Sequence, residues 1–250
     1  MKIALISDIH ANLPALEAAL IDIEARKPDA IYCLGDLVGY NIWPNEVIDH
    51  IRKRGIATLA GNHDLKVVPG TGSHNAETEG KPGKNYGYEI VGEDEKEYLM
   101  TLPAHIRLEF QIKGEKMNLL LVHGSPRSVN EYLLADMEEA QIRAIMHEAS
   151  ADILCFGHSH KPYHRVIAIT EGEQTLYWHA INIGSIGKPK DGDARGCYVI
   201  LHLHQNSSLS VASSMQVEFI RVAYDVEKAA RAVEDSPLPN ELADMLRKAY

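Results

Sequence analysis

"KIALISDIHANLPALEAALIDIEARKPDAIYCLGD", residues 2–36, sets a short apolar run, a helical pattern and a second short apolar run one after another. The runs KIALIS and AIYCLG are too short for helices and read as buried strands. Between them Pro14 suits a first helical turn, and Leu13, Leu16, Leu20 and Ile23 recur at helical spacing. The same alternation continues outward. PNEVIDHIRKRG supplies a second helix, with Pro44 near its start and Gly55 placed to end it, and IATLAG supplies a third strand. A β-α-β-α-β order calls for right-handed crossovers and a parallel sheet, so the class is α/β.

Beyond this core, residues 69–88 are rich in glycine and polar residues without any period, and are expected to form a loop or lid. EDEKEYLMTLP reads as a short helix stopped by Pro103, and IRLEFQI with MNLLLVHG as a hairpin joined through Gly114. Asp136 and Glu139 resemble a capping box opening a helix that carries Ile142, Ile145 and Met146. DILCFG follows as a strand, then HRVIAIT, TLYWHAINIG and CYVILHLH as antiparallel strands, and Asp225 opens a helical tail over 225–250. With no internal repeat and no linker, one domain over 1–250 is expected.

A chain of 250 residues with a net charge of −10 is ill suited to broad grip on a nucleic-acid backbone, although bound cations could still create a positive pocket for a nucleotide. Its three cysteines include no C-x-x-C pair, and Cys33 and Cys155 lie inside strand-like runs as small hydrophobes. No apolar stretch approaches a membrane span, and the N-terminus reaches Asp8 and His10 too soon for a signal peptide. A cytoplasmic protein without a membrane partner is expected.

The ends of the apolar strands share a chemistry. IALIS runs into Asp8 and His10, IYCLG into Asp36, ATLAG into Asn62, His63 and Asp64, LLLVHG into His123, and ILCFG into His158 and His160. In open α/β sheets the carboxyl ends of strands line the ligand crevice, so these groups are expected along one edge of one sheet. If extended, residues i and i+2 face the same way about 6–7 Å apart. Asp8 and His10 could then close on one ion, while His158 and His160 reach two neighbouring ions. Paired metals sit roughly 3.5–4 Å apart and share a bridging oxygen, a place that Asp36 suits. Mixed imidazole and carboxylate donors favour manganese first, with iron, zinc or nickel as alternatives, over calcium. By contrast, His202 and His204 alternate opposite Val199, Leu201 and Leu203 as a solvent-side strand face. MHEAS, IGSIGKPK and HGSPR fail the spacings of a zinc-peptidase helix, a P-loop and a nucleophile elbow.

In order, SDIH (7–10), GDLVGY (35–40), GNHD (61–64), VHGSP (122–126) and GHSHKP (157–162) resemble the signature of the calcineurin-like metallophosphoesterase superfamily. The segment INIGSIGKPKDGDARGCYVIL extends the resemblance, which leans towards the small bacterial and archaeal phosphoesterases. It implies a four-layer α/β/β/α sandwich with two central sheets. It also implies that Asp8, His10, Asp36 and His160 hold one ion, and Asp36, Asn62, His123 and His158 the other. His63 would face the substrate with its ring oriented by Asp64. The implied reaction is in-line attack on phosphorus by a metal-bridging hydroxide, with His63 assisting the leaving group. A monoester's extra charge is often met by arginine, and no arginine lies within the five blocks, which favours phosphodiesters, nucleotides among them, over phosphomonoesters; Arg127, just after HGSP, is the nearest candidate for that charge, and a surface position is the plainer reading of it. Broad phosphomonoesterase or protein-phosphatase-like activity, dinucleoside polyphosphate hydrolysis and a non-catalytic metal-binding scaffold are the alternatives. Departures from the family pattern at 41–43, at Ile183 and over 67–88 touch no ligand position and bear on substrate choice.

Overall fold

The computed structural model describes residues 1–68 and 83–250. Two five-stranded sheets lie face to face. The first is built on the opening alternation: β1 (Lys2–Ile6), α1 (Leu13–Arg26), β2 (Ala30–Cys33), α2 (Pro44–Lys53) and β3 (Ala57–Thr58). The strands β1, β2 and β3 run parallel, as their crossover helices require. Asn12 caps α1 by accepting the Ala15 N–H, and left-handed Gly55 follows the end of α2. Next come the short α3 (Asn62–Leu65) and α4 (Tyr86–Glu89), then α5 (Glu93–Met100).

The second sheet begins with the expected hairpin, β4 (His105–Ile112) and β5 (Glu115–Val122), and α6 (Glu139–Glu148) leads to β6 (Ile153–Phe156). β7 (Tyr163–Glu171) and β8 (Gln174–Asn182) complete it as an antiparallel pair, with β8 parallel to β6. β9 (Gly196–Leu203) then crosses to the first sheet and pairs antiparallel with β1 and with β10 (Met215–Val222). The orders are β10-β9-β1-β2-β3 and β4-β5-β6-β8-β7. α7 (Val226–Glu234) and α8 (Glu241–Lys248) close the chain, α7 capped by Asp225. Among the described residues no helix is long and apolar enough to cross a membrane.

Side-chain alternation explains the layering. Ile3 and Leu5 of β1 meet Leu119 and Leu121 of β5 and Ile153 and Cys155 of β6 between the sheets, while Ala4 and Ile6 turn outward to α1 and α2. Leu120, Val122, Leu154 and Phe156 turn the other way onto Ile142, Ile145 and Met146 of α6. Strands apolar on both faces are what a four-layer sandwich requires.

Several expectations need correction. β3 keeps only two residues, because the chain leaves the sheet at Leu59 to carry the Asn62–Asp64 loop into the site. The capping box at Asp136 does not form: α6 starts at Glu139 behind Glu138, without a side-chain cap. β10 has no counterpart in the sequence reading. Its exposed and buried residues do not alternate cleanly, since it is an edge strand in which only Met215 and Ile220 are buried. The expected lid at 69–88 lies outside the described residues over 69–82, and its last residues enter α4.

Candidate metal centre

The site stands where the carboxyl ends of strands from both sheets meet. This differs from the expectation of one edge of one sheet: β1, β2 and β3 deliver Asp8, His10, Asp36 and Asn62, while β5 and β6 of the second sheet deliver His123, His158 and His160. The donor segments are not extended either. Asp8, His10, Asp36, His158 and His160 all have φ between 51° and 64°, the left-handed region, and so does the adjoining Ala11. Such a conformation costs a non-glycine residue about 1–2 kcal/mol. Its clustering here marks a site at which the backbone is held against its preference.

All seven expected ligand residues converge. One ligand atom each of Asp8, His10, Asp36 and His160 lie within 4.8 Å of one another, and so do those of Asp36, His123 and His158. Asn62 joins the second group, its Oδ1 3.0 Å from His123 Nε2. Asp36 Oδ2 lies 3.5 Å from His10 Nε2 and 3.4 Å from His123 Nε2, so a single oxygen is shared by both groups. Donors of a tetrahedral cation at 2.0–2.2 Å are separated by roughly 3.3–3.6 Å, close to these values.

Two observations test whether the pocket suits cations. Asp8 Oδ1 and Asp36 Oδ2 are buried and accept no hydrogen bond of normal geometry among the described residues. Buried carboxylate oxygens are costly in that state unless a cation meets them. The histidines are also oriented from behind. Nδ1 of His10, His123 and His160 faces the carbonyl of Val38, Leu34 and Lys188 respectively, which places the proton at Nδ1 and the lone pair at Nε2. His158 presents Nε2 to the Asn130 carbonyl at 3.3 Å, leaving Nδ1 for the centre. The residues fit two divalent cations.

The remaining oxygen of each carboxylate is tied to a different motif. Asp8 Oδ2 accepts the His158 N–H at 3.1 Å, and Asp36 Oδ1 accepts the His63 N–H at 2.8 Å. The glycines of GHSH and GNHD are explained by these contacts. A Cβ at Gly157 would stand 2.4 Å from Asp8 Oδ2, and one at Gly61 2.1 Å from Asp36 Oδ1.

His63 and Asp64 depart from expectation. Asp64 does not orient the His63 ring. Its carboxylate accepts the backbone N–H groups of Asp36 and Gly61 at Oδ2 and of Leu37 and Val38 at Oδ1, at 2.8–3.3 Å, and so holds the turn that presents Asp36. The His63 ring is instead met by Tyr88, whose hydroxyl lies 2.6 Å from Nδ1. Tyr88 follows the irregular stretch, and its pairing with His63 is a contact across 25 residues that no local pattern announces. Of the other aromatics, Tyr40 packs on His10 and His63, Tyr132 stacks on His158 at 4.0 Å, and Trp43 and Tyr86 pack against α7 and α8. Arg127 is engaged by Glu131 at the surface.

The loop Ile183–Lys190 braces the centre, a role the failed P-loop comparison did not suggest. Ser185 Oγ donates to the Asp8 carbonyl, Gly187 N to the same carbonyl, and Asn12 Nδ2 to Gly187 O. Lys188 is 2% exposed, its Nζ 4.7 Å from the Tyr40 ring centroid.

Charge states follow from burial and neighbours. Burial opposes ionisation of Asp8 and Asp36, yet the surrounding histidines hold both well below the usual carboxylate range. Burial and the Asp36 charge push Asp64 up to about 7, against the pull of its N–H donors. Burial lowers His10 well below its ordinary value, His63 to about 3 and His158 to about 4. His123 moves the other way, to about 9: burial would lower it, but Asp36 and Asp8 outweigh burial. That proton occupies Nε2, between Asn62 Oδ1 and Asp36 Oδ2, where a cation would bind.

A family model described as "Calcineurin-like phosphoesterase superfamily domain" matches residues 1–206. An uncharacterized protein of Methanocaldococcus jannaschii is 31% identical over 256 aligned positions, covering 98% of this chain and 96% of its own length. Among solved structures, a metallophosphoesterase from Sphaerobacter thermophilus is similar at a TM-score of 0.75 and 26% identity, over 100% of this chain and 99% of the other. A hypothetical protein from Pyrococcus horikoshii OT3 shares the fold at a TM-score of 0.79 and 23% identity, over 100% and 98% of the two chains.

Two predictions follow from the geometry. Loading a divalent cation beside His123 must displace its proton, whereas His10 and His158 are already neutral at pH 7. Titration calorimetry with manganese at pH 7, in buffers of different ionisation enthalpy, should show release of about one proton, and affinity should weaken about tenfold per pH unit below about 9. Pronounced proton uptake, or affinity flat between pH 6 and 8, would contradict the assignment. Gly157→Ala should destabilise the fold by about 1–3 kcal/mol and strip metal from the protein in elemental analysis.

Proposed function

Because the chain belongs to the calcineurin-like phosphoesterase superfamily, we propose that it hydrolyses phosphodiesters, nucleotides among them, using two divalent cations. We place it in the small phosphoesterase branch of bacteria and archaea, a reading supported by its relatives from Methanocaldococcus jannaschii and Sphaerobacter thermophilus. The observation that carries the proposal is Asp36 Oδ2, buried, without a hydrogen bond of normal geometry among the described residues, and common to both clusters of donors. A scaffold role would not need that shared oxygen or the strained backbone around it. Manganese is the proposed metal, from the mixture of imidazole, carboxylate and amide donors.

When bound, two adjacent divalent cations supply an acidified water as nucleophile and neutralise charge on the phosphoryl oxygens. The chain's own residues do the rest. Asp36 spans the two positions, and Asp64 keeps the 36–38 turn in place by filling its N–H groups. Val38, Leu34 and Lys188 carbonyls keep three imidazoles in the tautomer with Nε2 free. His63 acts as a neutral imidazole: with Tyr88 donating to Nδ1, its proton sits at Nε2, available to the leaving oxygen. Phosphomonoester hydrolysis is a second reading, favoured by the two lysines of the bracing loop beside the site.

The test compares bis-p-nitrophenyl phosphate with p-nitrophenyl phosphate, with and without added manganese, on four proteins. Wild type should turn over the diester faster, and only with metal. His63→Ala should lower turnover by about 10²–10⁴-fold with metal content unchanged. Tyr88→Phe should lower it about tenfold, also with metal retained. Asp64→Asn should lose metal and rate together, because two of its four buried N–H partners lose their acceptor oxygen. Faster turnover of the monoester would replace the diester reading, and loss of metal from His63→Ala would refute the division of roles.

A further inference from the structure

GKPK, residues 187–190, places two lysines next to the metal centre, and among the described residues neither forms an ion pair, although the Asp8 and Asp36 carboxylates of the centre act on Lys190. Lys188 is almost fully buried, and its ammonium makes no hydrogen bond or ion pair among the described residues. What it does touch is the face of Tyr40, whose ring packs 4.7 Å from His10 and 4.8 Å from His63. Lys190 and the acidic Glu241 act on it through space, and among the described residues it forms no ion pair with Glu241. Lys190, half-buried, also forms no ion pair among the described residues, although Asp8, Asp36 and Lys161 act on it through space, and its backbone N–H donates to the His160 carbonyl. Both lysines are therefore fixed to the centre through their own backbone, Lys188 by its carbonyl on His160 Nδ1 and Lys190 by its N–H.

A buried ammonium with only an aromatic face for company is costly, because a cation–π contact returns a fraction of the hydration it replaces. The chain carries a net charge of −10, yet among the described residues no carboxylate pairs with Lys188. Arg127, the cation that sequence spacing offers to a substrate phosphate, is already paired with Glu131. The uncommitted positive charge at the centre thus comes from the bracing loop. We propose that Lys188 and Lys190 form an anion subsite beside the metal centre that takes a dianionic phosphoryl group of the substrate. This rests on the phosphoesterase reading and narrows it. The dianion is either the reacting group of a monoester or a terminal phosphate beside a reacting diester, since the charge and oxygen donors offered to the lysines are the same.

Three p-nitrophenyl esters separate these cases: bis-p-nitrophenyl phosphate, which has no dianion; p-nitrophenyl phosphate, in which the dianion reacts; and the p-nitrophenyl ester of thymidine 5′-phosphate bearing a 3′-phosphate, in which the dianion is a neighbour. Wild type, Lys188→Met and Lys190→Met are assayed with manganese, alongside binding of inorganic phosphate to the metal-loaded proteins by calorimetry. Lys190→Met, at a half-buried position, keeps the test valid if Lys188→Met folds poorly. Each variant is expected to lower kcat/KM about tenfold or more on one dianionic substrate, to change the plain diester by less than about threefold, and to weaken phosphate binding by about tenfold, with metal content unchanged. The substrate that suffers identifies the source of the dianion. Parallel loss on all three esters, or no loss on any, overturns the subsite. If metal-loaded wild type cleaves none of them, the phosphoesterase reading fails, and phosphate binding alone then decides: an unchanged Kd overturns the subsite, and a weakened one sustains it.

Discussion

Two carboxylates, Asp8 and Asp36, hold the arrangement together by facing two ways. One oxygen of each is bonded to a backbone N–H of a distant motif, His158 for Asp8 and His63 for Asp36, and the other is left in the buried centre. This fixes the distance between motifs that are 150 and 27 residues apart. It also explains why glycine precedes the histidine pair and the Asn62 loop: a side chain there would occupy the place of a carboxylate oxygen. Alone, this arrangement would leave two buried oxygens without partners. The same arrangement becomes favourable when cations supply the missing charge, so the fold and its metals are parts of one energetic unit.

Sheet architecture makes the convergence possible. The apolar layer of Leu5, Leu119, Leu121, Ile153 and Cys155 presses the two sheets together, so the carboxyl ends of β1, β2, β3, β5 and β6 open on the same cleft. The backbone then turns left-handed at five of the ligand residues. The strain is supported by the bracing loop 183–190, whose Ser185 and Gly187 bond to the Asp8 carbonyl. Asp64 does the equivalent for Asp36 by collecting four N–H groups.

Much of this was legible in the sequence, and the remainder was not for identifiable reasons. Short apolar runs and the 3.6-residue period located the strands and helices of the core, because strands buried on both faces leave continuous apolar runs. The donors were legible because Asp, Asn and His recur after those runs at fixed spacing. What spacing could not show was that the runs belong to two sheets, or that the i, i+2 donors sit in left-handed turns rather than extended chain. The resemblance implied that Asp64 orients the His63 ring, whereas in the short helix that holds both its carboxylate accepts backbone N–H groups of Asp36, Leu37, Val38 and Gly61. Tyr88 and Lys188 acquire their roles from contacts across 25 and 28 residues, His63 to Tyr88 and His160 to Lys188, and such pairings leave no local signal. β10 was missed because an edge strand need not alternate.

Whether one Asp36 oxygen serves two cations is tested most directly by anomalous diffraction from crystals grown with a manganese salt. The predicted result is two manganese peaks roughly 3.5–4 Å apart on either side of Asp36, one among Asp8, His10 and His160, the other among Asn62, His123 and His158. A single peak, or two peaks of which neither touches Asp36, would contradict it.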